Sequence, residues 1–189
     1  MGQGRHFLGN SNRIVGAVLG GWQAGGITTI QSGEAVTATL SSDVSNTGSF
    51  SPRPNQIHDP YDFNFIPDEN TFTNVYGCTP KKQTLQCWYN PLAFATPDLA
   101  PGQNFARQFG NSKIGNLRGP DLVDVDFVLQ KNFRIRESQQ VEFRAEFFNL
   151  FNHSNFGLPG LNPDVPGGNS ISNTATDNRQ IEFALKYTF

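Results

Sequence analysis

Asp124 and Asp126 are the residues whose types and spacing come closest to a catalytic pair. They lie two positions apart in the segment DLVDVDFVLQKNF, so on a β-strand their side chains point to the same face. Two neighbouring carboxyl groups can divide the general acid and general base roles between them. No catalytic set accompanies them, however, and paired carboxylates that line a polar surface are far commoner. We therefore predict that the chain is not an enzyme.

A second acidic segment, HDPYDFNFIPDEN, has the residue types of a cation site. Its candidate ligands are His58, Asp59, Asp62, Asp68 and Glu69. Hard cations prefer such oxygen ligands, but a calcium loop also needs a central glycine and a closing glutamate, which the segment lacks. The sequence favours a solvated surface loop, and we predict no bound metal and no other cofactor.

The two cysteines, Cys78 and Cys87, lie nine positions apart in a polar stretch that contains proline. In an oxidising compartment they could close a small loop, whereas in the cytosol they would be two free thiols. A shared metal is a weaker interpretation, because no histidine stands at ligand spacing from them.

Composition limits the classes of protein that the chain can belong to. The net charge of −2 gives no electrostatic attraction to nucleic acid, so no nucleic-acid partner is expected. The 17 Phe, 19 Gly and 12 Pro favour strands and turns over packed helices. No run of about 18 apolar residues is present, so we expect no transmembrane helix.

Four segments are predicted to be long strands, at about residues 16–31, 121–133, 139–149 and 179–189. The third contains good helix formers, but a helix would place Val141 and Ala145 opposite Phe143 and Phe147. On a strand all four share one face. The connections between the strands are long, short and long, with aperiodic loops at about 32–120 and 151–178.

Two folds fit strands with one apolar and one charged face. In a secreted β-sandwich that serves as a binding or adhesion module, the apolar face points into a core. In an outer-membrane barrel it points to lipid, and the charged face lines a polar lumen. The strand lengths of roughly 10 to 13 residues favour the barrel. Its lumen would be lined by Asp124, Asp126, Glu142, Arg144, Glu146, Glu182 and Lys186.

The segment GNLRGPDLVDVDFVLQKNFRIRESQQVEFRAEFFNLFNHSNFG and the terminal RQIEFALKYTF closely resemble the C-terminal end of TonB-dependent outer-membrane receptors. The most similar are the Oar-like receptors of acidobacteria, which carry a carboxypeptidase-regulatory-like domain at the N-terminus. LGGWQAGGITTIQSG resembles the preceding strand of that family, and YNPLAFATP resembles its loop before the LRGP element.

The resemblance implies an all-β fold, an antiparallel up-and-down transmembrane β-barrel segment. Receptors of this family have about 22 strands and a plugged lumen, whereas this chain supplies four or five strands and no plug domain. We therefore expect residues 1–189 to be the C-terminal part of a longer barrel, embedded in outer-membrane lipid. The C-terminus would be periplasmic, and the long loops would be extracellular.

The resemblance also implies the function and its partners. The intact receptor would take up an unknown substrate, driven by the TonB complex acting on the plug. The barrel-assembly machinery would read a C-terminal signal made of Phe183, Leu185, Tyr187 and Phe189. A disulfide between Cys78 and Cys87 is expected in the outer loop.

Trp22, Trp88 and Tyr89 are candidates for the membrane boundary, where aromatic side chains concentrate.

Overall fold

The fold is known from a computed structural model, which describes residues 18–48, 52–65, 82–98, 101–102, 109–136 and 138–189. The described strands are β1 (Trp22–Gln31), β2 (Ala35–Val36), β3 (Asn55–Gln56), β4 (Phe94–Ala95), β5 (Leu117–Arg118), β6 (Leu122–Arg136), β7 (Gln139–Phe148) and β8 (Gln180–Thr188). The chain divides into two compact units. We call residues 1–31, 123–154 and 177–189 the sheet unit, and residues 32–122 and 155–176 the loop unit.

The sheet unit holds the four long strands in the order β1-β6-β7-β8. Strands β6, β7 and β8 pair antiparallel. Strand β1 runs antiparallel to β6, because the Asn132 N–H donates to the Gly21 carbonyl while Gly26 lies against the Asp126 carbonyl. Each long strand therefore pairs with the next long strand along the chain. This confirms the predicted all-β, antiparallel, up-and-down arrangement, and the sheet is open rather than closed.

The strand ends differ by a few residues from those predicted. Strand β1 begins at Trp22 rather than near residue 16, and β6 continues to Arg136 rather than ending at Phe133. The longer β6 takes most of the segment that was expected to form the connection to β7. Residues 16 and 17, where the first strand was predicted to begin, lie outside the described residues.

Strand β7 confirms the choice of strand over helix for its sequence. Its apolar residues alternate with polar ones and meet apolar partners on β6, with Phe127 opposite Phe147 and Phe133 opposite Val141. Strand β8 continues the pattern, since Phe143 pairs with Leu185. Cross-strand pairs of this kind stabilise a sheet, each by about 0.2–1 kcal/mol.

Strand β7 ends at a left-handed residue. Asn149 has a φ of 48°, a conformation that Asn tolerates better than most residues. Its backbone N–H donates to Asp126 Oδ1 at 3.0 Å. Its side chain donates to the carbonyls of His153 and Asp177 and accepts the N–H of His153. One asparagine thus closes the ladder and holds both ends of the connection to β8.

The loop unit has a hydrophobic core of its own, although its sequence lacks periodicity. The buried members of this core are Val36, Ala38, Tyr89, Ala93, Phe94 and Leu117. Two short ladders surround it, β2 with β5 and β3 with β4. The buried Asn90 caps the 3-10 helix Pro91–Ala93 and donates to the carbonyls of Asp62 and Phe65. The predicted long loops therefore contain a folded unit.

Leu117→Ala should destabilise the loop unit by about 2–5 kcal/mol, because Leu117 is fully buried and its removal leaves a cavity. Urea unfolding in detergent micelles, followed by Trp88 fluorescence in a Trp22→Phe background, measures the change. Ile114→Ala is the matched control, since Ile114 is 82% exposed. Equal stability of the two variants would contradict the assignment of Leu117 to the core.

Candidate functional site

The polar face of the sheet unit carries all of the charged residues predicted to line a lumen. Asp124 and Asp126 lie on β6. The other five residues lie on β7 and β8 at positions that share the same face: Glu142, Arg144, Glu146, Glu182 and Lys186. The register places Glu142 directly opposite Lys186 and Glu146 opposite Glu182. Arg144 forms an ion pair with Glu146, with 2.5 Å between Nη2 and Oε1. The polar face therefore combines oppositely charged neighbours with one pair of like charges, Glu146 and Glu182.

Asp124 and Asp126 differ in their surroundings despite sharing this face. Asp126 accepts the Asn149 N–H, so its carboxylate helps to end β7. Asp124 Oδ1 is buried and has no hydrogen-bond partner among the described residues. The geometry gives Asp126 a structural task at the strand end.

The opposite face of the sheet is apolar and exposed. Phe183 is 69% exposed and Leu185 is 74% exposed, and Tyr187 continues the row along β8. The ring of Phe183 stacks on that of Phe143, and Tyr187 stacks on Phe189. The four residues predicted as a C-terminal signal thus form an uncovered aromatic and aliphatic edge, which in water would be unfavourable by about 25 cal/mol per Å².

Lys131 interrupts this apolar face, and its role was not predicted from the sequence. Its side chain is 1% exposed, and its ammonium donates to the carbonyls of Val18 and Gly20. The same ammonium lies over the rings of Trp22 and Phe133, at 4.7 and 4.8 Å from their centroids. Carbonyl acceptors and aromatic faces together compensate the cost of burying the charge. Aromatic neighbours on the same parity are the only sequence signal that could have indicated this role.

The loop unit changes the interpretation of two aromatic residues. Tyr89, predicted for a membrane boundary, is fully buried in the core of the loop unit. That assignment was wrong. Trp88 and Tyr89 are isolated aromatic residues in an aperiodic segment, and the sequence alone does not show that Tyr89 packs into a core formed by distant residues. Trp88 is half-buried and donates its indole N–H to the Arg118 carbonyl.

Tyr89 also joins the two long connections within the loop unit. Its hydroxyl donates to the carbonyls of Gly160 and Gly168, at 3.1 and 3.3 Å. Burial raises the pKa of this hydroxyl far above its usual range, so it remains a donor at every physiological pH. Asn169 returns a side-chain N–H to the Tyr89 carbonyl at 2.8 Å. The described parts of residues 32–122 and 155–176 thus form one folded body.

Other predicted site residues are separated or lie outside the described part. Cys87 is buried and the described residues contain no free thiol, but Cys78 lies outside them, so the disulfide remains a prediction. Asp68 and Glu69 also lie outside. The ring of His58 stacks on Phe65. In the part of the chain described, no three His, Cys, Asp or Glu residues are placed to hold a metal ion.

Long antiparallel strands with one charged face and one uncovered apolar face define the wall of a membrane β-barrel. Residues 1–182 match the family described as outer membrane beta barrel domain. The chain belongs to that family, which supports a location in the outer membrane. No curated protein and no solved structure matches the chain. The described residues include no helix with the length and apolar character needed to span a bilayer.

Tyr89→Phe should destabilise the loop unit by about 1 kcal/mol, because the partly buried carbonyls of Gly160 and Gly168 lose their shared hydroxyl donor. The same urea titration of Trp88 fluorescence measures this loss. Tyr187→Phe removes a hydroxyl from a half-exposed side chain and serves as the control. A Tyr89→Phe variant as stable as the control would show that the hydroxyl does not join the two connections.

Proposed function

We propose that the chain is a segment of a TonB-dependent outer-membrane receptor that takes up a substrate by energy-coupled transport. The sheet unit supplies part of the lumen wall, and β8 is the closing C-terminal strand. The loop unit supplies the outer loops. The observation that carries the barrel wall is the two-sided sheet: the seven charged residues predicted to line the lumen share the face opposite the exposed apolar one, and Lys131, the charged exception on the apolar side, is buried.

The charged face suits a water-filled lumen better than a dry interior. Glu142 and Lys186 stand opposite each other, which allows a cross-strand ion pair. Glu146 and Glu182 also stand opposite each other; the ion pair of Glu146 with Arg144 offsets part of their repulsion, and water around the face screens the rest. A hydrated wall accommodates both pairs, so the face lines the route that a polar substrate takes.

The exposed apolar face argues against the secreted β-sandwich. In a sandwich this face would pack against a second sheet. Here Phe183 and Leu185 remain mostly exposed, and the described residues contain no second sheet of long strands. Lipid is the environment that satisfies such a face without a protein partner. No observation favours the binding module over the barrel wall.

Transport through TonB rests on the resemblance of the strands and the terminal segment to the receptor family. In such receptors the TonB complex pulls on a plug domain inside the barrel, and substrate captured by the outer loops then passes along the lumen. The partners of the full-length protein are therefore outer-membrane lipid, the barrel-assembly machinery, the TonB complex and an unknown substrate. The chain itself performs no enzymatic step.

The topology is consistent with one orientation of the sheet. The connections β1 to β6 and β7 to β8 are both long and leave from the same end of the antiparallel sheet. The connection from Arg136 to Gln139 is short and lies at the other end. Outer-membrane barrels have short periplasmic turns and longer extracellular loops. We therefore propose that the long connections are extracellular and that the C-terminus is periplasmic.

Phe183→Arg should reduce insertion strongly, because a charge on the lipid face costs about 2–4 kcal/mol near the bilayer midplane. Glu182→Arg, one position earlier, is the matched control. It places the new charge on the polar face and removes the repulsion with Glu146, so insertion should be unchanged. The measurement is the fraction of chain that acquires a β-strand circular dichroism signal in phosphatidylcholine vesicles. Equal losses in both variants, or a larger loss for Glu182→Arg, would contradict the assignment of the faces.

Phe189→Ala should lower delivery to the outer membrane several-fold, because the exposed ring is the proposed anchor read by the assembly machinery. Thr188→Ala, the neighbouring polar position, should leave delivery unchanged. The measurement is the amount of exported chain in the outer-membrane fraction of a Gram-negative host, relative to the soluble periplasm. A chain that accumulates in the periplasm as a folded monomer, indifferent to Phe189, would refute the receptor proposal.

A further inference from the structure

A cleft of about 300 Å³ lies within the loop unit. Its lining includes Tyr61, Gln83, Trp88, Arg118 and Asp121, which are aromatic, amide, cationic and anionic side chains. Sites for small ligands have volumes of roughly 300–1,000 Å³ and combine apolar surface with a few placed polar groups. The cleft is at the lower end of that range and has both components.

The aromatic side chains of the cleft are held in place by a single peptide segment. The Tyr61 hydroxyl accepts the Arg118 N–H at 2.7 Å and lies 3.1 Å from the Arg118 carbonyl. The Trp88 indole N–H donates to that same carbonyl at 2.6 Å. Partial burial raises the pKa of Tyr61 above its usual value, so the hydroxyl stays protonated. The polar atoms of both rings are thus occupied, and the rings present mainly apolar surface.

The backbone beneath the cleft is fixed from a second side. Gly119 donates its N–H to the Glu34 carbonyl, and the Gly33 N–H donates to Asp121 Oδ1, each at 2.8 Å. A Cβ atom at Gly33 would lie only 1.9 Å from the Gly119 carbonyl oxygen, so only glycine allows the two segments to approach this closely. These contacts form the cleft before any ligand arrives.

The polar side chains at the cleft do not select one sign of charge. Arg118 and Gln83 are exposed and offer N–H donors, while Asp121 is exposed and offers acceptor oxygens. An inorganic anion would meet Asp121, and a simple cation would meet Arg118. A neutral ligand with many hydroxyl groups satisfies both, because each hydroxyl donates and accepts. The electron-rich faces of Trp88 and Tyr61 suit the C–H groups of a sugar ring.

We propose that this cleft binds a neutral sugar, a monosaccharide or a short oligosaccharide. Tyr61 and Trp88 contact the ring, while Arg118, Gln83 and Asp121 form hydrogen bonds with its hydroxyls. As a capture site on the outer loops the cleft rests on the proposed receptor function. The binding chemistry itself depends only on the folded loop unit.

The test is sugar binding to the full chain folded in detergent micelles. Glucose, galactose, maltose, cellobiose and N-acetylglucosamine are titrated, with calorimetry and Trp88 fluorescence in the Trp22→Phe background as readouts. At least one sugar should bind saturably. Arg118→Ala should then weaken binding about tenfold, because a hydrogen bond to a charged group is lost. Gln83→Ala should weaken it by a smaller factor.

Lys113→Ala is the matched control for Arg118→Ala. It also removes an exposed cation from the loop unit, but Lys113 is not part of the cleft. It should bind sugar as the unchanged chain does. The cleft proposal is overturned if no sugar of the panel binds to the folded chain, or if Arg118→Ala and Lys113→Ala bind equally well. Titration with inorganic phosphate is included, and a phosphate site with no sugar binding would likewise overturn it.

The outcome is separable from that of the receptor proposal. Delivery to the outer membrane is measured on the same variants, and Arg118→Ala should not change it. If Arg118→Ala loses sugar binding but is delivered normally, the result supports the cleft and leaves the receptor proposal unaffected. Failure of delivery together with intact sugar binding would refute the receptor and leave the cleft standing.

Discussion

The cross-strand register of β6, β7 and β8 is the constraint on which the chemistry of the sheet depends. Side chains alternate with a period of two, so a slip of one residue would exchange the charged and the apolar faces. The short connection after Arg136 limits the slip at one end of β6 and β7. At the other end, Asn149 donates to Asp126 and turns the chain through a positive φ. Two local contacts therefore decide which face meets water.

This dependence explains which parts of the fold the sequence could predict. Alternation is a local property, so β7 and β8 were identified from single segments, and Phe143 and Phe183 already indicated their shared face. Strand β1 has weak alternation, with Gly25 and Gly26 in its middle. Its place is decided by pairing with β6, where Gly26 approaches the Asp126 carbonyl too closely for a side chain. That requirement becomes visible only when both strands are placed together.

The loop unit could not be predicted, because its contacts join residues that are far apart in the sequence. Tyr89 reaches Gly160 and Gly168 across more than 70 positions, and no short motif encodes that pairing. Many of these contacts are hydrogen bonds of asparagine, glycine and tyrosine, which in isolation indicate only turns. Lys131 posed the same difficulty within the sheet. In the sequence Lys131 interrupts an apolar face. In the structure its ammonium donates to a backbone carbonyl and lies over the ring of Trp22.

A folded loop unit has consequences for the proposed capture of a ligand. Loops that order only on contact lose conformational entropy at that moment, which weakens binding. Here the core around Leu117 and the hydrogen bonds of Tyr89 have already ordered the segments. The peptide of Arg118 fixes the rings of Tyr61 and Trp88 in the same way. Binding a ligand at the proposed cleft then costs little conformational entropy, so a small cleft with few polar groups can still bind its ligand.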